Sequence, residues 1–228
     1  MTRLDEMSGT TRLTEFLAVD HAKLQHYIGA AAFSAIGRRY AMKYPLLDPS
    51  VRWFSRNLAK FLGETMPYSK NPELAELARL EAALNTAFEA PDASILSVSE
   101  IAGFEAKGLD DCVVVVHPSV QRLCLLTNTT SLWAALQCDE PPPRPERLDV
   151  PQELLVWRQG TNPRFRMLGK EEALTLDLAL QGNPFAKICE ALAQATGGEV
   201  SAECADIYLR GWVEAELVSA IRYVKQAA

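Results

Sequence analysis

Three histidines in 228 residues leave little room for metal chemistry. A hydrolytic or redox metal centre wants a cluster of His, Asp and Glu ligands, and His21, His26 and His117 are scattered. On a helix, His21 and His26 stand five residues apart and point roughly 140° from each other. The chain also lacks H-E-x-x-H, G-x-S-x-G, P-loop and G-x-G-x-x-G strings, so the common protease, hydrolase and nucleotide-binding constellations are missing. Five cysteines, at 112, 124, 138, 189 and 204, are odd in number and show no C-x-x-C spacing. They read as buried reduced thiols. No apolar run approaches the about 18 residues that a membrane span needs. The opening Met1-Thr2-Arg3-Leu4-Asp5-Glu6 lacks an apolar signal core, which predicts a cytoplasmic protein. Positive charge is not in excess either. With 23 Lys and Arg against 29 Asp and Glu the net charge is −6, which argues against a surface that is a nucleic-acid footprint throughout. These absences together predict no catalytic constellation, no metal and no cofactor.

What is present is helical periodicity up to about residue 105, then a change of period. Thr14 to Ile28 reads as a first helix, closed by Gly29, and Ala31 to Tyr44 as a second, ended by Pro45. Asp48-Pro49-Ser50 opens a third, with Val51, Phe54, Leu58, Phe61 and Leu62 on its apolar face. Asn71 and Pro72 start a fourth, in which Leu74, Leu77, Leu80 or Glu81, Leu84 and Phe88 form one stripe. Cys112 to His117 is a β-branched run that predicts a strand, and Gln121 to Asn128 the next. Five prolines between Asp139 and Gln152 exclude helix and central strand there. Leu154 to Gln159 and Arg164 to Leu168 predict a hairpin around Gly160-Thr161-Asn162-Pro163. Helices follow over 170–181, 184–195, where Asn183 caps and Pro184 takes the first position, and 201–224, with Ile207, Trp212 and Val213 facing inward. The expected class is α+β: a helical bundle over 1–108, then a smaller α/β domain over 109–228. Its strands lie at about 112–128 and 154–168, and its hairpin followed by three helices is winged-helix-like.

The string Leu77-Ala78-Arg79-Leu80-Glu81, continued by Leu84, Ala87-Phe88, Ala90 and Asp92-Ala93, resembles the signature of the HvfC/BufC family. Ala32-Phe33, Ile36, Arg39-Tyr40, Tyr44-Pro45, Ser50, Phe54 and Phe61-Leu62 resemble its upstream pattern. Val115-Val116-His117-Pro118-Ser119, Ser131-Leu132-Trp133 and Leu155-Val156-Trp157-Arg158 resemble three downstream elements in the family's order. Two departures exist: the family's N-terminal helix is longer and contains a Tyr-Arg pair, and a Trp often stands where this chain has Ala82-Ala83. The family carries an older DNA-binding label, and its members sit beside multinuclear non-haem iron oxidases that modify ribosomally made peptides. The resemblance implies a non-catalytic partner protein that binds the leader of a precursor peptide and presents it to such an oxidase. The competing implication is a DNA-binding transcriptional regulator.

Two basic patches bear on that choice. Residues 31–60 carry Arg38, Arg39, Lys43, Arg52, Arg56 and Lys60 against Asp48 alone. Arg52, Arg56 and Lys60 are spaced by four, along one face of the third helix. They read as a solvated face, a phosphate-contacting surface or a docking surface for an acidic partner. DNA readout also wants polar side chains on an exposed helix. The last helix offers Arg210 among Asp206, Glu214 and Glu216, which repel phosphate. The second patch is Arg158, Arg164, Arg166 and Lys170, with no acid between 154 and 170. Arg164, Arg166 and Leu168 share one side of a strand, Phe165 and Met167 the other. Such an edge either lies covered or accepts an extended acidic leader as an added strand, clamped by Tyr208 or Trp212.

Overall fold

The computed structural model describes residues 3–45, 51–105, 108–197 and 202–224, with backbone alone for 3–11, 51–53, 105 and 202–204. Among these residues the chain is mixed α+β, with ten α-helices and two small sheets. The helices are α1 (Arg3–Asp20), α2 (Ala22–Ile28), α3 (Ala30–Lys43), α4 (Leu58–Glu64) and α5 (Pro72–Glu89), then α6 (Val98–Glu105), α7 (Thr129–Gln137), α8 (Lys170–Leu180), α9 (Phe185–Ala195) and α10 (Ala202–Glu214). The strands are β1 (Cys112–Val116), β2 (Gln121–Thr127), β3 (Arg147–Gln159), β4 (Asn162–Met167) and β5 (Val218–Tyr223). Contacts divide the chain into two compact units, one of residues 1–85 and 124–152, the other of 86–123 and 153–228. The chain therefore passes between them three times, not once near residue 108.

The first unit is built around aromatic and leucine side chains of α1 to α5. Tyr40 is fully buried. Its ring lies edge-on to Phe54 at 5.1 Å and to Phe61 at 5.5 Å, and its hydroxyl donates to the Phe54 carbonyl. Burial pushes that hydroxyl up to about 12. The Phe33, Ile36, Tyr40, Phe54, Phe61 and Leu62 of the upstream pattern are thus core positions. Gly37 lets α1 approach α3, since a Cβ there would stand 2.7 Å from Thr14 Cγ2. The expected first helix is two helices, interrupted at His21, whose backbone leaves the helical region (φ −130°). The expected third helix begins as a 3-10 segment, Val51–Asn57. At three residues per turn, a step of four rotates about 120° instead of about 40°. The Arg52 side chain lies outside the described residues, so of the expected row only Arg56 and Lys60 are described, both exposed.

α5 is more deeply enclosed than a one-stripe helix. Residues 73–78 are all buried, while Phe88, assigned to the stripe, is 57% exposed. Two of its acids are buried because they hold backbone. Glu81 accepts the N–H groups of Lys23 and Leu24 at 2.7 and 3.0 Å, which closes the start of α2. Glu76 accepts the N–H groups of Leu126 and Thr127 at 2.7 and 3.0 Å, and the Thr127 and Thr129 hydroxyls at 2.7 and 3.1 Å. It fixes the end of β2 and the start of α7, a helix the sequence reading omits. Leu136 of α7 joins the same core. Burial pushes His21 down to about 4 and Glu81 up to about 7.

In the second unit, β1 and β5 pair antiparallel from Cys112↔Tyr223 to Val116↔Val218. Leu176 of α8, Ile188 of α9, and Leu209 and Trp212 of α10 pack with Val114 and Ile221. The last helix was expected to run to 224; it ends at Glu214. Leu217 N–H bonds to the Trp212 carbonyl and Glu216 N–H to that of Val213, with Glu216 left-handed at φ 62°. This is the helix-closing Schellman arrangement. Beyond it Val218–Tyr223 is a strand because β1 is there to pair with. Trp212 and Val213 face inward as expected, but Ile207 is 64% exposed. Five residues separate it from Trp212, too large an angular step for one stripe, which Ala205 and Leu209 complete instead. Pro184 takes the cap position of α9 that was assigned to Asn183.

The other sheet has the order β2-β3-β4. β3 is its middle strand yet contains Pro151, against the expectation that proline excludes one. β4 pairs only with Leu154–Gln159, so Pro151 sits where that neighbour imposes no bond.

Candidate functional site

The β3–β4 hairpin forms as its residues dictate. Gln159 pairs with Asn162 across a two-residue turn whose first residue, Gly160, is left-handed at φ 56°, the glycine-first pattern of a II′ turn. Gly160 N–H donates to Glu216 at 2.8 Å, which holds the tip. Leu168 N–H donates to Glu153 O at 2.8 Å. In an antiparallel ladder hydrogen-bonded pairs alternate, so Arg164, Arg166 and Leu168 spend their backbone groups on β3. Phe165 and Met167 turn theirs to the opposite edge. Among the described residues β4 is the last strand of its sheet.

The structure separates the residues that the sequence groups together. Arg164 and Lys170 are exposed, and Met167 is 61% exposed. Phe165 is half-buried, Leu168 is in the core. Arg166 Nη1 donates to Glu172 Oε2 at 2.7 Å, and its Nη2 donates to the other carboxylate oxygen. Trp212 Nε1–H donates to the same carboxylate at 2.9 Å, with the indole 2% exposed. Trp212 is therefore not a clamp for a peptide; it is part of the frame. Tyr208 is half-buried against the same core. Arg158 is also occupied, donating to the carbonyls of Phe88 and Ala90 at 3.1 and 3.2 Å and to Asp92 at 2.7 Å. A run without acids in sequence is thus not without acids in space. Asp92, Glu172 and Glu216 were missed; Glu172, six residues beyond Arg166 on the next element, was the only one with a local signal.

Arg122 fastens the base of the hairpin. It donates to Glu153 at 2.6 Å, to the Ala173 carbonyl at 3.1 Å and to Asp177. Burial opposes its charge, but the two carboxylates raise its pKa. Burial likewise pushes Glu172 up, yet the Arg166 and Trp212 hydrogen bonds outweigh it and hold the carboxyl below its ordinary 4.5. A depressed carboxyl contributes stability above the unfolded value and loses it as pH falls through the folded one. The Trp212 indole N–H resonance should therefore stay unchanged above about pH 5 and shift only in more acid solution. A titration of that resonance near neutrality would contradict the arrangement.

His117, Pro118 and Ser119 form a closed turn. Ser119 N–H donates to His117 Nδ1 at 3.2 Å, Ser119 Oγ lies 2.8 Å from the same nitrogen, and Arg158 N–H donates to Ser119 Oγ at 3.1 Å. The accepted amide bond leaves the ring proton on Nε2. Ser119 is 1% exposed, so this pair holds a turn. Burial, then the nearby Arg158, lowers the His117 pKa.

On the first unit, Arg38, Arg39, Arg56 and Lys60 are exposed. Arg39 stacks over Tyr68 at 5.1 Å and donates to Met66 O at 3.2 Å and to the Tyr68 hydroxyl at 3.3 Å. The cysteines divide as well: Cys112 is buried, Cys189 half-buried, Cys124 and Cys138 exposed. The expectation that all are buried is corrected for the last two, and the Cys204 side chain lies outside the described residues. Among the described residues no three His, Cys, Asp or Glu side chains form a group able to hold a metal ion, and no helix is long and apolar enough to cross a membrane. The chain matches no protein-family model and no curated protein.

Proposed function

We propose that the chain is a cytoplasmic, non-catalytic partner protein of the HvfC/BufC type, which binds the leader of a ribosomally made precursor peptide and presents it to a multinuclear non-haem iron oxidase. The observation that carries this reading is β4. Among the described residues it ends its sheet and shows Arg164 and Met167 outward, while Arg166, Arg158 and Trp212 hold the hairpin rigid behind it. An extended acidic leader laid along β4 meets Arg164 and Met167, and its alternate side chains supply selection. The hairpin followed by α8, α9 and α10 serves as a winged-helix-like recognition domain.

The site narrows to Arg164, Met167 and Lys170, because Arg166 and Trp212 have internal partners. Arg164→Glu with Met167→Asp should weaken binding of a fluorescent leader peptide at least tenfold, read by anisotropy, with thermal stability unchanged. Unchanged affinity overturns this placement. Co-expression with the neighbouring oxidase and precursor, followed by size exclusion, tests the wider reading. A stoichiometric complex is expected. A chain that elutes alone and shifts duplex DNA with a steep salt dependence supports a regulator instead.

A further inference from the structure

Resting on that partner reading, we infer that the oxidase docks on a patch formed by α3 and the loop after α4, and that it offers there an acidic surface with an apolar side chain. Met42 of α3 is 76% exposed and Met66 of the loop 55% exposed. Side-chain contacts join the two elements. Arg39 reaches Met66 O and the Tyr68 ring, and Lys43 Nζ lies 3.5 Å from Thr65 Oγ1. Lys43 also stands over the Tyr44 and Phe61 rings at 5.8 and 5.6 Å. Arg39 and Lys43 thus tie α3 to the loop and are already oriented by aromatic faces, and each of the two elements carries an exposed methionine. Exposed methionine adapts its shape to an apolar insert, and orientation before binding removes part of the side-chain entropy cost.

Charge identifies the occupant. Among the described side chains of α3, α4 and the loop after it, Arg38, Arg39, Lys43, Lys60 and Lys70 are exposed against Glu64, within a chain of net charge −6. A second copy docking by a two-fold axis would set this basic patch against itself, bringing like charges together. An acidic partner meets no such penalty. The patch and β4 share no residue, so leader and oxidase do not compete for the same side chains.

The test is a pull-down and a titration with purified oxidase. Met42→Glu with Met66→Glu should weaken the complex at least tenfold, and Lys43→Glu by about threefold. Val150→Glu, at an apolar position that is 62% exposed on β3, should leave it unchanged. Leader binding by all these variants should match the parent, which shows that they are folded. Parent and variants binding the oxidase alike overturn the patch alone. A parent that does not bind the oxidase overturns the partner reading and the patch with it. A parent dimer that the methionine variants dissolve assigns the patch to a second copy and overturns the acidic partner.

Discussion

Replacing Glu76 by alanine should cost the first unit about 3 kcal/mol, because the buried Thr127 N–H and the partly buried Leu126 N–H lose their acceptor at roughly 1–3 kcal/mol each. The Thr127 and Thr129 hydroxyls can turn to each other at 2.7 Å, so they add little. The Leu126 and Thr127 amides have no such freedom. Glu76→Gln keeps one acceptor oxygen and should cost about half as much. Urea unfolding followed by far-UV circular dichroism checks this, with the midpoint moving and the slope constant. A loss below about 1 kcal/mol would mean that water replaces the carboxylate, contrary to its 4% exposure.

Glu172→Ala should cost the second unit about 3 kcal/mol. Most of that arises at the Trp212 indole N–H, which is buried and loses its one acceptor. The Arg166 guanidinium is partly exposed and recovers some hydration, so it contributes less. Arg166→Leu alone should be milder, and the double variant should approach Glu172→Ala alone, since the indole penalty remains in both. Hydrogen exchange gives a local readout: the amides of Arg164, Arg166 and Leu168 should lose protection in Glu172→Ala, while those of β1 and β5 keep theirs. Equal loss everywhere would place Glu172 in the general core and not behind the hairpin.

These two glutamates show what the sequence could reveal. The α5 span was legible because proline, leucine and alanine spacing state a helix directly. The reasons for burying its acids were not, since Glu76 answers donors fifty residues away. The β3–β4 hairpin was legible from Gly160 and the alternation on either side. The partners of its arginines were not, because Asp92 arrives from another segment and Glu172 from the next helix. Residues 202–224 show the limit most clearly. Trp212, Val213, Leu217 and Ile221 keep a helical period throughout, and only the presence of β1 makes the last part a strand. α7 is nine residues long and holds a short apolar stripe, Leu132 and Leu136. Its place depends on the carboxylate of Glu76 as much as on its own pattern.

The three passages of the chain between units set a timetable for synthesis. The first unit needs residues 124–152, so Leu136 and the Thr127–Thr129 anchors are still missing when α5 has left the ribosome. The second needs β5, which is made after every other element described. Neither core closes early, and a nascent chain carries Glu76 and the face around it uncovered until residues 124–152 have been made. Cutting the gene at any single point between 86 and 152 divides both units at once, so the two halves of such a cut are expected to fold only when supplied together.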